Sequence, residues 1–233
     1  MKLQIIKSED SVRRPRPSLS ARITKDPYHT LHTLTNMQTR MRKPITKIRI
    51  DTKIQEQTLP IRIGTMTFLQ DLSSSETNIT SLPESIGHLP QLRTLKLHWN
   101  QLTALPESIG HLPHLQTLDL HNNELTTLPE SIGYLPHLQT LDLYKNKLTA
   151  LPESFGHLPH LQTLDLCNNE LTTLPESIGN LPQLQTLDLD GNELTTLPES
   201  LRNLTALKDF SYSEHPFVRP FSRELEDFLK TFE

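Results

Sequence analysis

The chain has 233 residues and a single cysteine, Cys167, which excludes an intrachain disulfide and a metal cluster built on several thiolates. Hydrophobic residues make up 34% and aromatic residues 5% of the chain, which is low for a compact globular core. The net charge of −4 is uneven: residues 1–43 contain ten Lys or Arg and three Asp or Glu, whereas the remaining residues contain 13 and 24. No apolar run approaches the ~18 residues that span a bilayer, so no membrane insertion is expected.

Residues 1–25 are charged, contain several Pro and Ser, and lack hydrophobic periodicity, which predicts a disordered basic arm. The run Arg13-Arg14-Pro15-Arg16-Pro17 is too short to indicate nucleic-acid binding, and none is expected. The first residues lack the apolar core of a signal peptide. Together with the single cysteine, this favours a cytoplasmic protein of a reducing compartment.

A capping segment is predicted at residues 26–44. Asp26 is a good N-cap and Pro27 suits the first position of a helix over about 27–42, which Pro44 ends. One face of that helix is apolar, and consists of Leu31, Leu34, Met37 and Met41. This helix is expected to cover the open end of the first coil.

Residues 45–212 repeat with a period of 23, and the phrase Leu-Pro-Glu-Ser returns at Leu82, Leu105, Leu128, Leu151, Leu174 and Leu197. Each unit contains L-x-x-L-x-L-x-x-N-x-L, as in Leu115 to Leu125. Inward leucines at unit positions one, four, six and eleven predict about eight parallel strands, starting at Ile45, Leu69, Leu92, Leu115, Leu138, Leu161, Leu184 and Leu207. Two prolines seven residues apart in each unit leave room only for short 3-10 or irregular turns on the convex side.

The asparagine at unit position nine is predicted to satisfy buried backbone groups as a structural ladder of Asn100, Asn123, Asn146, Asn169 and Asn192. After the last unit, residues 213–233 are predicted to form a C-terminal cap. Leu225, Phe228, Leu229 and Phe232 mark its amphipathic helix, with Ser222 as N-cap. A partner-binding helix and a bacterial secretion signal are the alternatives for this tail.

The outward strand positions form the expected concave face. Unit position five carries Lys96, Asp119, Asp142, Asp165 and Asp188. Because every repeat is equally equipped and no nucleophile lies nearby, this column favours a basic partner surface over catalysis or metal binding.

Positions seven and eight vary most between units, and we predict a partner-binding patch there, made of His98, Trp99, His121, Tyr144 and Lys145 and bordered by the aspartates. The alternative is drift at unconstrained surface positions.

The remaining reactive residues favour no chemistry. His111 and His114, His157 and His160, and the column His114, His137 and His160 are read as solvated polar positions, so no metal ion or cofactor is expected. Cys167 has no His base at a matching position and no neighbouring cation, which makes it a weak nucleophile. No catalytic residue is predicted.

The unit Leu-Pro-Glu-Ser-Ile-Gly-x-Leu-Pro-x-Leu-Gln-Thr-Leu-Asp-Leu-x-x-Asn-x-Leu-Thr-x resembles the 23-residue intracellular leucine-rich-repeat family, which includes Ras-group-related plant proteins, animal Ras-pathway scaffolds and short bacterial proteins. The resemblance covers about residues 45–212. It implies an α/β fold: a right-handed horseshoe solenoid with a parallel concave sheet, short 3-10 convex turns and helical caps at both ends. It also implies protein–protein binding through the concave face, often in signalling.

These observations together predict a non-enzymatic, monomeric scaffold for a protein partner with a basic surface. One alternative is a bacterial effector or adaptor that acts on a host protein. Another, from a different class, is an enzyme that depends on Cys167. Bacterial effectors that are ubiquitin ligases have similar repeats, but they carry a separate catalytic domain for which this chain has no room.

Overall fold

The framework of the protein is one sheet whose strands follow chain order. A computed structural model describes residues 4–7, 19–23, 26, 28–29, 33, 44–212 and 221–232. Among these residues the strands are β1 (Gln4–Lys7), β2 (Leu19–Ile23), β3 (Ile45–Ile50), β4 (Asp71–Ser73), β5 (Thr94–Lys96), β6 (Thr117–Asp119), β7 (Thr140–Asp142), β8 (Thr163–Asp165), β9 (Thr186–Asp188) and β10 (Asp209–Ser211). Strands β2 to β10 run parallel. The predicted parallel solenoid is confirmed.

Two strands lie within residues 1–25, where the sequence predicts a disordered arm. Strand β1 pairs antiparallel with β2, and β2 continues the parallel sheet beyond β3. The physical reason is a short period-two pattern: Ala21 and Ile23 are buried, in register with Ile48 and Ile50. The parallel sheet therefore has nine strands instead of the predicted eight.

The core is a set of leucine columns that run across the coils. Each regular strand has only three residues, Thr-Leu-Asp in β6 to β9, and its middle leucine points inward. Leu118, for example, lies in register between Leu95 and Leu141, and all three are fully buried. Because each coil contributes the same side chains, each interface between coils buries the same apolar surface.

Seven 3-10 helices form the convex side, as predicted: Ile61–Thr65, Glu84–His88, Glu107–His111, Glu130–Tyr134, Glu153–His157, Glu176–Asn180 and Glu199–Asn203. A proline with extended backbone precedes each of them. The glutamate after that proline contacts the next coil: the Ser108 N–H donates to Glu84 Oε2 at 3.3 Å, and the Ser200 N–H donates to Glu176 Oε2 at 3.2 Å. The sequence analysis did not assign this role to the repeated glutamate.

The repeated glycine sets the spacing of the convex helices. A Cβ atom on Gly133 would lie 2.1 Å from the backbone oxygen of Ser154 in the next coil, far inside van der Waals contact. All of the other repeated glycines between Gly64 and Gly179 show the same close approach to the next coil. In the last coil Arg202 takes this position, and an α-helix follows there instead of another 3-10 helix.

The C-terminal helix α1 (Arg223–Leu229) covers the last coil. Its predicted N-cap is confirmed, because Ser222 Oγ accepts from the Leu225 N–H at 3.2 Å. The Ser222 hydroxyl also donates to Glu199 Oε2 at 2.6 Å, so the helix is docked through the same glutamate ladder that links the coils. Leu225 and Leu229 are buried, and the predicted face is completed by the partly buried Phe228 and Phe232.

Little of the predicted N-terminal capping segment is described. Asp26 Oδ1 accepts from the His29 N–H at 3.1 Å, which is the bond expected of an N-cap. Tyr28, His29 and Thr33 have helical backbone. The apolar face predicted for this helix lies outside the described residues, as do residues 213–220 of the predicted C-terminal cap.

The repeated asparagines bond to backbone groups of two coils. Asn146 Oδ1 accepts from the Leu125 N–H at 3.1 Å, and its Nδ2 donates to the carbonyl oxygens of Leu120 and Leu143 at 3.1 and 3.0 Å. Asn123, Asn169 and Asn192 make the equivalent three bonds. Each amide thus provides partners for backbone groups in its own coil and in the preceding one.

Asn146→Ala should lower the free energy of unfolding by about 3 kcal/mol, because one N–H and two carbonyl groups lose their partner in a buried site. Urea denaturation followed by circular dichroism would measure this change. Asn180→Ala, at an exposed convex position, is the control and should change stability by less than about 0.5 kcal/mol. Equal effects of the two substitutions would contradict the role of the ladder.

Candidate functional site

The solvent-facing side of the sheet, here called the concave face, carries charges of opposite sign at its two ends. The strands align unit position five into one column, Arg22, Arg49, Ser73, Lys96, Asp119, Asp142, Asp165, Asp188 and Ser211. We call this set the position-five column. It is basic from β2 to β5 and acidic from β6 to β9. Lys96 and the four aspartates were predicted from the sequence, whereas Arg22 and Arg49 were missed.

The basic end is a cluster of four cations. Arg22, Lys47, Arg49 and Lys96 line one hollow of the concave face. Both arginines form ion pairs with the carboxylate of Asp51, and Lys47 Nζ lies 3.1 Å from Asp71 Oδ2. The alternation of Arg or Lys with buried residues in β2 and β3 was the sequence signal for this end. The assignment of residues 1–25 to a disordered arm concealed Arg22, whereas Arg49 lies in the strand predicted from Ile45 and was missed because unit position five was compared only in the regular units.

At the acidic end, the aspartates have a structural bond as well as a charge. Asp142, Asp165 and Asp188 each accept, through Oδ1, the backbone N–H of the residue two positions later, at 3.0–3.1 Å. Burial is the main cause that raises the pKa of Asp142 and of Asp165, and the neighbouring aspartates of the column raise both further. The pKa directions show that the bonds they accept do not fully offset burial and like-charge repulsion.

Asp119 differs from the other three aspartates. Its Oδ2 lies 2.9 Å from His98 Nδ1 and its Oδ1 lies 2.8 Å from His121 Nδ1. The two imidazoles stack with centroids 4.5 Å apart and planes 3° apart. His121 Nδ1 also lies 3.3 Å from Asp142 Oδ2. One connected cluster therefore contains His98, Asp119, His121 and Asp142. The two aspartates were predicted as part of the column and the two histidines as part of the patch.

Position eight is constrained by the backbone and is not a freely variable surface site. Its residues have left-handed backbone conformations, with φ between 51° and 66°, and are Trp99, Asn122, Lys145, Asn168 and Gly191. Asn and Gly adopt this conformation at little cost, whereas it is unfavourable for Trp and Lys. Backbone preference accounts for three of the five residues and leaves Trp99 and Lys145 unexplained by it.

The predicted patch consists of two groups. Trp99 is 56% exposed and its ring meets that of His121 edge-on, with centroids 6.4 Å apart, so it joins the cluster of His98 and His121. Lys145 Nζ lies 5.0 Å from the centroid of the Tyr144 ring, in a cation–π contact. Among the described residues, no ring contact, ion pair or side-chain hydrogen bond joins the two groups. Binding by these side chains stays a prediction.

The candidate nucleophile Cys167 is poorly suited to that role. Burial, followed by the charges of Asp188, Asp165 and Asp190, raises the pKa of its thiol to about 11. A thiol with this pKa is almost entirely protonated near neutral pH. The convex histidines stack as His114–His137 and His137–His160, with centroids 5.9 and 6.0 Å apart.

Parallel strands in register, an asparagine ladder and 3-10 convex turns define a leucine-rich-repeat solenoid. The sequence profile described as "Leucine-rich repeat region" matches residues 84–146 and 130–229, and the chain belongs to this family. No curated protein gives a significant sequence match.

Solved structures with the same fold include a leucine-rich-repeat protein of Leptospira interrogans, which is 37% identical with a TM-score of 0.73 over 79% of this chain and 46% of the other. The leucine-rich-repeat domain of the type III effector XopL is 31% identical, with a TM-score of 0.63 over 76% of this chain and 64% of the other. The ectodomain of the receptor kinase GASSHO1/SCHENGEN3 from Arabidopsis thaliana, solved in complex with CASPARIAN STRIP INTEGRITY FACTOR 2, is 29% identical, with a TM-score of 0.65 over 77% of this chain and 22% of the other.

The chain thus spans less than two thirds of the length of each of these three proteins. Within its described part, no helix has the length and apolar character needed to cross a membrane. What these findings establish is a scaffold of a kind that commonly binds proteins or peptides.

Asp165→Asn should stabilise the protein at neutral pH. The pKa of Asp165 is raised in the folded state, so folding favours its protonated form, and this contribution is lost as pH rises through the carboxyl range. The amide keeps the Oδ1 acceptor without the charge. We expect the melting temperature to rise by roughly 1–3 °C at pH 7 and to change little at pH 3, where the carboxyl is neutral in either state.

Thermal unfolding at both pH values checks this expectation. Glu193→Gln removes the same charge from an exposed turn outside the column and is the matched control, with little change expected at either pH. A lower melting temperature for Asp165→Asn at pH 7 would show that the column is not under electrostatic repulsion.

Proposed function

We propose that this protein is a non-enzymatic scaffold that binds a partner protein on its concave face through the position-five column. The observation that carries the proposal is the column's charge order: cations on β2 to β5, then four aspartates on β6 to β9. The strand spacing of about 4.8 Å brings neighbouring carboxylates close enough to act on one partner segment. Uncompensated like charges are stabilised when a partner of opposite charge covers them.

The partner surface that fits this order is basic opposite β6 to β9 and acidic opposite Arg22, Arg49 and Lys96. A partner segment that crosses the strands would meet both ends of the column in one orientation only. The order of charges therefore contributes more to the orientation of the bound partner and to the choice of partner than to the binding affinity. The similar GASSHO1/SCHENGEN3 ectodomain was solved in complex with CASPARIAN STRIP INTEGRITY FACTOR 2, which supports binding as the general role of the scaffold.

The double substitution Asp165→Asn and Asp188→Asn tests the acidic end. We expect capture of the partner from a lysate of the source cell to fall on the order of tenfold at low salt, because two desolvated charge contacts are lost. Glu170→Gln with Glu193→Gln is the control, since it removes two exposed charges that lie outside the column. Quantitative mass spectrometry of the captured proteins measures the change.

The outcome is read from the difference between the two double variants. Equal loss of capture would mean that net charge alone matters, and undiminished capture by the Asp165/Asp188 variant would refute binding through the acidic end. Added salt should weaken capture by the wild type more than capture by that variant.

Trp99→Asn tests the predicted patch separately. Asn suits the left-handed backbone at this position, as Asn122 and Asn168 show, so the variant should be as stable as the wild type or more stable by up to about 1 kcal/mol. We expect partner capture to fall several-fold nonetheless, because an exposed aromatic anchor is removed. Unchanged capture would favour drift over binding at this residue.

A second candidate function is that of a bacterial effector acting on a host protein. Its specific support is the likeness to the leucine-rich-repeat domain of a type III effector over 76% of this chain. Fusing residues 1–233 to a reporter and measuring its transfer into host cells would test it. We keep the cytoplasm, of the producing cell or of a host cell, as the proposed site of action, because the single cysteine suits a reducing compartment.

For an enzyme dependent on Cys167, the thiol would need to react readily, and its raised pKa of about 11 argues against this. Alkylation by iodoacetamide at pH 8 should be at least tenfold slower than alkylation of glutathione, because far less thiolate is present. Mass spectrometry over time gives both rates. Faster alkylation of Cys167 than of glutathione would revive the enzymatic alternative.

A further inference from the structure

We propose that His98, Asp119 and His121 form a binding site for a divalent transition-metal ion of the zinc type, with Asp142 as a fourth donor. This goes beyond the proposed partner binding and does not depend on it. The three residues each offer one ligand atom, and these atoms all lie within 4.8 Å of one another. Two imidazole nitrogens and carboxylate oxygens are donors that zinc and similar ions prefer.

The distances between donors suit one small ion. Metal–ligand bonds of about 2.0–2.2 Å place neighbouring tetrahedral ligands about 3.3 Å apart. His121 Nδ1 and Asp142 Oδ2 are already 3.3 Å apart. Asp119 reaches the two imidazoles through different oxygens, Oδ2 to His98 Nδ1 at 2.9 Å and Oδ1 to His121 Nδ1 at 2.8 Å, so one carboxylate lies within hydrogen-bond distance of both donor nitrogens. In the metal-bound form, the ion replaces the hydrogens of these bonds.

The sheet holds the donors in place without a metal. His98 and His121 follow β5 and β6, and Asp119 and Asp142 end β6 and β7, so four donors come from three neighbouring coils in register. The stacked imidazoles present equivalent edges to the same carboxylate. The strands fix the backbone positions of the donors, and ion binding requires the two nearly parallel rings to rotate so that both Nδ1 lone pairs point at one ion.

The cluster remains accessible from the concave face. The side chains of His98 and His121 are each 24% exposed, and that of Asp119 is 15% exposed. Ser75 Oγ lies 3.4 Å from His98 Nδ1 at one side, and the ring of Trp99 lies against His121 at the other. The donors are therefore shielded but open to an ion from solvent.

In the part of the chain that the structure describes, this donor set occurs at one pair of adjacent coils. Position seven is His in two adjacent units and then becomes Tyr144, Cys167 and Asp190. At those later units the aspartate accepts the position-seven backbone N–H, whereas the carboxylate of Asp119 bonds both imidazoles instead. This cluster differs from the rest of the position-five column because it combines two His with an aspartate whose carboxylate bonds imidazoles instead of a backbone N–H.

Isothermal titration of the metal-stripped full chain with zinc chloride tests the proposal without any partner. We expect one ion per chain with a dissociation constant in the micromolar range or below. His98→Ala with His121→Ala should weaken binding at least tenfold. His114→Ala with His137→Ala, which removes a stacked pair of similar spacing from the convex turns, is the matched control and should leave it unchanged.

The substitution Asp119→Asn is a second test of the zinc site, and it leaves both imidazoles in place. It should also weaken zinc binding at least tenfold, and excess zinc should raise the melting temperature of the wild type but not of this variant. The proposal is overturned if the wild type does not bind zinc, or if binding survives in the His98/His121 variant. It is equally overturned if the convex variant loses as much affinity, which would indicate nonspecific binding by surface histidines. Because no partner is present, this result is independent of the pull-down.

Discussion

Buried backbone groups at the coil interfaces have no partner within their own turn, and this constraint governs the whole molecule. Each coil supplies partners to its neighbours, as the Asn146 amide does for the Leu120 carbonyl oxygen of the preceding coil. On the convex side the repeated glutamate meets the same requirement, and the repeated glycine allows the close approach of adjacent coils. From β4 to β10 the paired residues are 23 positions apart, whereas β3 pairs with β4 at a separation of 24, so the constant length belongs to the regular units.

Amino-acid identity can therefore vary mainly at positions whose side chains face away from the stacked coils. Even at these positions the backbone limits which residues are favourable. The aspartates of the position-five column both carry charge and accept a backbone N–H, so their presence in four units has a structural reason beside any functional one. Position eight requires a left-handed backbone. Asn and Gly adopt this conformation with little strain, whereas Trp99 adopts it at a cost in conformational energy. Because backbone preference does not account for Trp99, this residue is a stronger candidate for a binding role than a residue that merely differs between units.

The sequence predicts the structural elements that recur in every repeat. Eight strands, the convex 3-10 turns and the Ser222 cap follow from local patterns that recur or that obey capping rules. Strand β2 was missed because it is one short alternating segment outside the repeat, and with it Arg22 was missed. Arg49 was missed although its strand was predicted, because that strand is not one of the regular units. The contacts of Asp119 with both imidazoles depend on register and rotamer together, which spacing alone does not specify. The features on which the proposed binding and metal sites depend are thus the least periodic and the hardest to predict from the sequence.

Arg202 occupies the last glycine position and ends the stack of convex helices. A side chain at this place blocks the close approach that another coil of the same kind would require. Lengthening of the array by gene duplication is therefore confined to units inserted before it. Each inserted copy of the Thr-Leu-Asp unit would leave both ends intact and add one carboxylate to the concave face. The number of repeats in such a protein is then a genetic means of changing the charge of its concave face.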